Sequence, residues 1–231
     1  MREIPSSFPD VQPVTIKSYP GSSALLGGVG YLITESHFGL KWEGVGYALA
    51  PDQSGEDLLR ISSIGTKGKV SYEYFWCLGL VGFGRKNQEN ISFLSHGKDN
   101  TEPRIMAHYR DAIRRLLDTS DPETCDFVIF GGEHNIPGAN LTQGTLHASL
   151  ETQSRLVQLV CEETQGLVNP IVIPPSELDN GDTDLCGKSI LVETPTRNIH
   201  LFESLVHQHD GRFAQYTEPE YQPPHKRAHR Y

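Results

Sequence analysis

Two short stretches constrain this chain more than any other: Ser71-Tyr-Glu-Tyr-Phe-Trp-Cys77-Leu-Gly-Leu80 and Ile91-Ser-Phe-Leu-Ser-His96. Tyr72, Tyr74, Phe75 and Trp76 in the first, and Ile91, Phe93 and Leu94 in the second, are side chains that suit a pleated, half-buried surface, so each stretch reads as a strand. Between them residues 84–90 are polar and turn-rich, which predicts a hairpin. Cys77 then stands on one strand and His96 on the next, within reach of each other. A Cys beside a His is the minimum for nucleophilic catalysis, because imidazole can take the thiol proton. The same spacing also fits an inert thiol, since free Cys is among the most buried residue types.

Length and charge narrow the remaining choices. A chain of 231 residues fits one large domain or two small ones and can bury a sizeable core. With Gly 22 and Pro 15, a loop-rich, strand-containing fold is expected over a helical bundle. A net charge of −9 argues against general affinity for nucleic acid, whose phosphates attract a basic surface. No run of 18 apolar residues is present, so no membrane association is expected. The first residues lack the apolar core of a secretory signal. Cys77, Cys125, Cys161 and Cys186 are widely spaced with no CxxC pair, which predicts reduced thiols and a cytoplasmic protein. Export by a route without an N-terminal signal stays open, as does oligomeric state.

Taken in order, residues 1–24 carry Pro5, Pro9, Pro13 and Pro20 and read as an arm. Residues 25–34, 37–50 and 58–64 read as strands of a β meander that leads into the Cys77 strand. Pro103 then opens a helix whose apolar face is Ile105, Tyr109, Ile113 and Leu116, with Arg110, Asp111, Arg114 and Arg115 on its solvated side. The apolar run 126–132 suits a buried strand ending in Gly131-Gly132. A second helix follows over 145–163, with Gly166 as its C-cap. Residues 171–173 form a short strand, and 189–193 pairs with 198–202 over a Thr194-Pro-Thr-Arg197 turn. Cys125 and Cys161 are expected in the core. From position 208 the chain is polar and ends in a basic tip, read as a disordered tail. The expected organisation is therefore an arm over 1–24, one α+β domain over 25–207 and a tail over 208–231.

This order of elements resembles the Cys-His protein deamidase superfamily, which includes the chemoreceptor glutamine deamidase, the cytotoxic necrotizing factor catalytic domain and the N-terminal asparagine amidohydrolase. The resemblance is carried by Cys77, His96, Phe130-Gly131-Gly132, Gly138 and Asn140 in the next loop, and the segment from Gly187 through the Thr194-Pro-Thr-Arg197 turn. It covers roughly residues 70–203. Phe75-Trp76 stands where those deamidases have a Gly-Ser pair, and Gly97-Lys-Asp99 follows the His where they have an apolar pair and Pro. His96-x-x-Asp99 is nearer to the N-terminal amidohydrolase.

The resemblance implies a central mixed β-sandwich flanked by two helices. It also implies a thiol enzyme in which Cys77 attacks a Gln or Asn carboxamide of a protein or peptide. His96 serves the proton transfers, a thioester forms, and no cofactor takes part. Ser71 stands where the receptor deamidase has a Thr that orients the His, and on one continuous strand positions 71 and 77 share a face. The loop after the buried 126–132 strand offers His134, Asn135 and Asn140 as substrate contacts, because loops in such places carry recognition, and Asp99 of the His96-x-x-Asp99 arrangement is counted with them. Two other readings remain open at this point. One is a non-catalytic binding module with an inert Cys77; the other is a zinc-dependent hydrolase using Cys77, His96 and His134.

Overall fold

A computed structural model describes residues 2–4, 11–19, 41–45, 59–74, 77–98, 103–131, 143–173, 184–209 and 212–215. Among these residues the architecture is α+β, with two mixed sheets and two α-helices. The hairpin that anchors the smaller sheet consists of β6 (Cys77–Lys86) and β7 (Glu89–Lys98). Its turn is tighter than the 84–90 loop expected. Asn87 and Gln88 both take positive φ, 50° and 69°, so a two-residue turn closes two ten-residue strands. Such a turn matches the twist of the flanking strands, and Asn tolerates it best among non-glycine residues. Around this pair the sheet is completed by β4 (Leu59–Ile61), β8 (Asp126–Gly131) and β9 (Ile171–Val172), in the order β4-β7-β6-β8-β9. Only β8 and β9 run parallel.

The larger sheet contains β1 (Arg2–Ile4), β2 (Val14–Tyr19), β3 (Trp42–Gly44), β5 (Gly68–Tyr74), β10 (Asp184–Glu193) and β11 (Asn198–His209). Their order is β1-β2-β11-β10-β5-β3, and β12 (Arg212–Gln215) pairs with the far end of β11. Three expectations change here. Residues 71–80 are not one strand: β5 ends at Tyr74 in the larger sheet, and β6 begins at Cys77 in the smaller one. The expected arm is drawn into the sheet, where β2 runs parallel to β11 and buries Val14 and Ile16 in alternation. The last hairpin is longer than its apolar centre, and strand pairing continues beyond position 207 through β12. The expected strand over 25–34, and most of that over 37–50, lie outside the described residues.

The core has two compartments, which explains why β6, β7 and β8 are apolar on both faces. Between the sheets, Val81, Phe83, Leu94, Val128 and Phe130 meet Tyr74, Ile190, Val192, Ile199, Leu201, Val14 and Ile16. On the other face of the smaller sheet, Leu80, Phe93, Phe127 and Ile129 pack against the helices α1 (Pro103–Thr119) and α2 (Gln143–Glu163). Helix α1 buries the expected Ile105, Tyr109, Ile113 and Leu116, while Asp111, Arg114 and Arg115 stay exposed. Each such apolar side chain contributes roughly 1.5–3 kcal/mol when fully buried. Gly166 takes φ 76° and donates its N–H to Cys161 O at 2.9 Å, closing α2 as a C-cap. Cys125 is in the helix-side core as expected, whereas Cys161 is only half-buried because it sits at the edge of that compartment. No helix among the described residues is long and apolar enough to cross a membrane.

Gly79 marks where the packing is tightest. A Cβ placed there would lie 2.0 Å from Phe130 Cζ and 2.5 Å from Cε2, and Phe130 has no exposed surface into which to move. Gly79→Ala is expected to destabilise the fold by about 3 kcal/mol, the upper range for overpacking. Gly65→Ala has nothing within 4 Å of its new methyl and serves as the control. Urea melts of the two variants check this; equal midpoints would mean that the sandwich interior yields freely at Gly79.

Candidate active site

The antiparallel register of β6 and β7 places the two key residues. Cys77 is opposite Lys98, Leu78 opposite Gly97 and Val81 opposite Leu94, so His96 lies diagonally across from Cys77 on the same face of the sheet. Diagonal neighbours on one face are within side-chain reach. That face is the inter-sheet one: Cys77 belongs to the inter-sheet core, and His96 contacts two residues of the opposite sheet. Cys77 is 6% exposed and His96 0%.

Those two residues are Ser71 and Tyr74, both on β5. Ser71 Oγ lies 2.8 Å from His96 Nδ1 and 2.5 Å from the carbonyl oxygen of Val45. A serine hydroxyl has one proton, and the Val45 carbonyl can only accept it. Ser71 must therefore accept from His96, which places the imidazole proton on Nδ1 and the basic lone pair on Nε2. Val45 itself is held by its N–H bond to Val70 O at 2.8 Å, so the relay is tied to the sheet backbone. Burial drives the His96 pKa down to about 3, because the interior disfavours an imidazolium. The ring is thus neutral throughout the neutral range.

Tyr74 covers the imidazole. Their ring centroids are 3.9 Å apart at an interplanar angle of 16°, and Tyr74 Oη donates to Ser95 O at 2.7 Å. Phe130 meets Tyr74 edge-on at 4.9 Å and 69°. Complete burial raises the Tyr74 pKa well above the ordinary phenol value, so the hydroxyl stays a donor. On the other side of Cys77, Gly131 has φ 112°, and a Cβ there would come within 2.4 Å of Cys77 O. Only glycine lets β8 approach so closely in that conformation. The Gly131 carbonyl in turn accepts from Gln153 Nε2 at 3.0 Å, which ties helix α2 to this corner. Across the sheet edge, exposed Arg60 on β4 is directly opposite His96.

Of the expected site residues, Ser71 and His96 are bonded and Cys77 shares their compartment. Ser71 arrives by a different route from the one expected. It does not share a strand with Cys77 but reaches His96 from the facing sheet. Asp99, His134, Asn135 and Asn140 lie outside the described residues. Among those described, no cluster of three or more His, Cys, Asp or Glu is arranged to hold a metal ion. Tyr74 and Phe130 join the site without having been expected as site residues, since an aromatic in a strand signals core before it signals a site. The remaining described thiols are placed differently. Cys125 has Sγ 3.1 Å from Ser120 Oγ in the helix-side core, and burial pushes its pKa up to about 11. No protein-family model matches this chain, and no curated protein does.

Proposed function

We propose that this protein is a cysteine-dependent amidohydrolase that deamidates a Gln or Asn carboxamide in a protein or peptide. The observation that carries this reading is the Ser71–His96 bond, which commits Nδ1 and leaves Nε2 as the base on the sheet face that also bears Cys77. In this mechanism Cys77 Sγ attacks the carboxamide carbon while its proton passes to His96 Nε2. The tetrahedral intermediate collapses with cleavage of the C–N bond. His96 returns the proton to the departing nitrogen, and ammonia leaves. Water then attacks the thioester, His96 again takes and returns a proton, and a carboxylate and free thiol remain. Such thiol chemistry suits the reducing cytoplasm.

A second reading has one observation in its favour. The complete burial of His96 is what a histidine serving only the core would show, so a non-catalytic binding module on the same scaffold is the alternative. The test incubates the purified full chain with Gln- and Asn-containing peptides and follows ammonia release together with iodoacetamide labelling of each cysteine near neutral pH. The amidohydrolase releases ammonia and labels at Cys77 well ahead of Cys125. Absence of ammonia with Cys77 as slow as Cys125 leaves the binding module.

A further inference from the structure

We propose that Tyr74 is a positioning residue of this site: its ring, laid flat on His96 and anchored through its hydroxyl to Ser95 O, fixes the plane in which the imidazole meets Cys77. This inference rests on the amidohydrolase reading. An imidazole hangs from its strand by two rotatable bonds, and the contact with Ser71 at 2.8 Å fixes the position of Nδ1 more than the tilt of the ring. A ring stacked at 3.9 Å and 16° holds that tilt. Tyr74 is itself pinned at both ends, by its own strand β5 and by the carbonyl of the residue preceding His96. Phe130 meets the Tyr74 ring edge-on and fills the space over Gly79, which blocks a tilt toward β8.

The stack also suits the reaction. Among the described residues, His96 is met by Ser71 and Tyr74 from β5, with Phe130 of β8 behind Tyr74, while Cys77 of β6 lies diagonally on the same face and Arg60 of β4 holds the register position opposite. As the Cys77 proton moves to Nε2 the ring becomes cationic in a buried space. The face of a phenol is the part of this shell that attracts such a charge without titrating itself. Tyr74 therefore holds the base in place before the transfer and lies against the positive charge during it.

The experiment uses the full chain and its Tyr74→Phe and Tyr74→Leu variants. Two readouts are taken: the ¹⁵N shifts of the His96 ring nitrogens, and the pH profile of iodoacetamide labelling at Cys77 with Cys125 as internal reference. In the parent, the two His96 nitrogens are expected to be well separated, one protonated and one bare. Tyr74→Phe keeps the stack and loses the anchor, so Cys77 labelling should fall about threefold, and in Tyr74→Leu it should fall about tenfold or more, with the His96 shifts converging. A merely structural loosening does the opposite and speeds labelling at both cysteines. Parent His96 nitrogens with averaged shifts overturn the positioning role outright. If Tyr74→Leu fails to fold, the Phe variant decides, and an unchanged Cys77 profile there sinks the role of Tyr74. An inert Cys77 in the parent sinks the amidohydrolase reading and this inference together. A reactive Cys77 indifferent to both variants sinks the inference alone.

Discussion

Cys77→Ala is expected to lower ammonia release by at least about a thousandfold while the protein stays folded, because loss of a nucleophile removes the covalent route entirely. The structural cost is small. Cys77 is at the start of β6 with some surface still exposed, and removing one sulfur atom there costs about 1 kcal/mol. The variants around it form a graded series. His96→Gln keeps a polar side chain but has no basic nitrogen, so it loses roughly a hundredfold or more. Ser71→Ala leaves the base in place but frees its tautomer, since Nδ1 then has lost the acceptor that Val45 had oriented. It should fall between the parent and His96→Gln. Ammonia assays paired with thermal melts check the order. A Cys77→Ala protein that remains active would mean that another group carries the chemistry.

Acid should weaken the fold in a range where ordinary surface carboxylates remain ionised. His96 has its pKa lowered from 6.5 to about 3 in the native state, by burial. Below pH 6.5 the unfolded chain therefore binds a proton that the native protein refuses. The stabilisation linked to neutral His96 is fully present above pH 6.5 and is lost progressively as pH falls toward 3. Over that whole window the loss amounts to roughly 5 kcal/mol at most, and its slope is about 1.4 kcal/mol per pH unit.

Glu193 adds a second loss lower down. Burial works against its carboxylate, but bonds from His200, Asn198 and Thr196 outweigh it and bring the pKa from 4.5 to about 2. The stability it confers is present above pH 4.5 and disappears as pH drops toward 2. The interval from pH 6.5 to 4.5 thus lies above the Glu193 loss. Urea midpoints measured at pH 7, 6 and 5 should fall steadily in the parent and much less in His96→Gln. Identical slopes in the two proteins would show that His96 takes up a proton without cost.

The parts of this fold that the sequence reveals are those governed by short-range periodicity. The helix face from Ile105 to Leu116 and the apolar run of β8 need only neighbours a few positions away to identify them. The β6–β7 hairpin is legible for the same reason, and with it the placement of Cys77 and His96 on one face of the sheet. What stays hidden depends on distant partners. Nothing local to residues 71–80 announces that the chain leaves one sheet after Tyr74 and enters the other at Cys77, because aromatic residues favour either sheet equally. The resemblance, supported by parity along a single strand, led to Ser71, and the hydroxyl does lie against the histidine, but from across the sandwich. Likewise the alternation of Val14 and Ile16 is too brief to reveal a strand until β11, almost two hundred residues later, supplies its partner. Tyr74 is read from sequence only as a core aromatic, because its contact with His96 exists only once both sheets are in place.

That division of labour between the sheets bears on when the site comes into being during folding. Ser71 and Tyr74 belong to one layer, Cys77 and His96 to the other, and only a short link joins Tyr74 to Cys77 along the chain. The β6–β7 hairpin can form early, since its partners are close in sequence. The larger sheet must wait for β10 and β11, more than a hundred residues downstream, and contacts so distant are made slowly. On a growing chain the thiol and imidazole therefore emerge on one face of the hairpin long before the hydroxyl and phenol have a framework to present them. A half-made molecule holds Cys77 and His96 on one face, and the contacts of His96 with Ser71 and Tyr74 form only when the last strands dock.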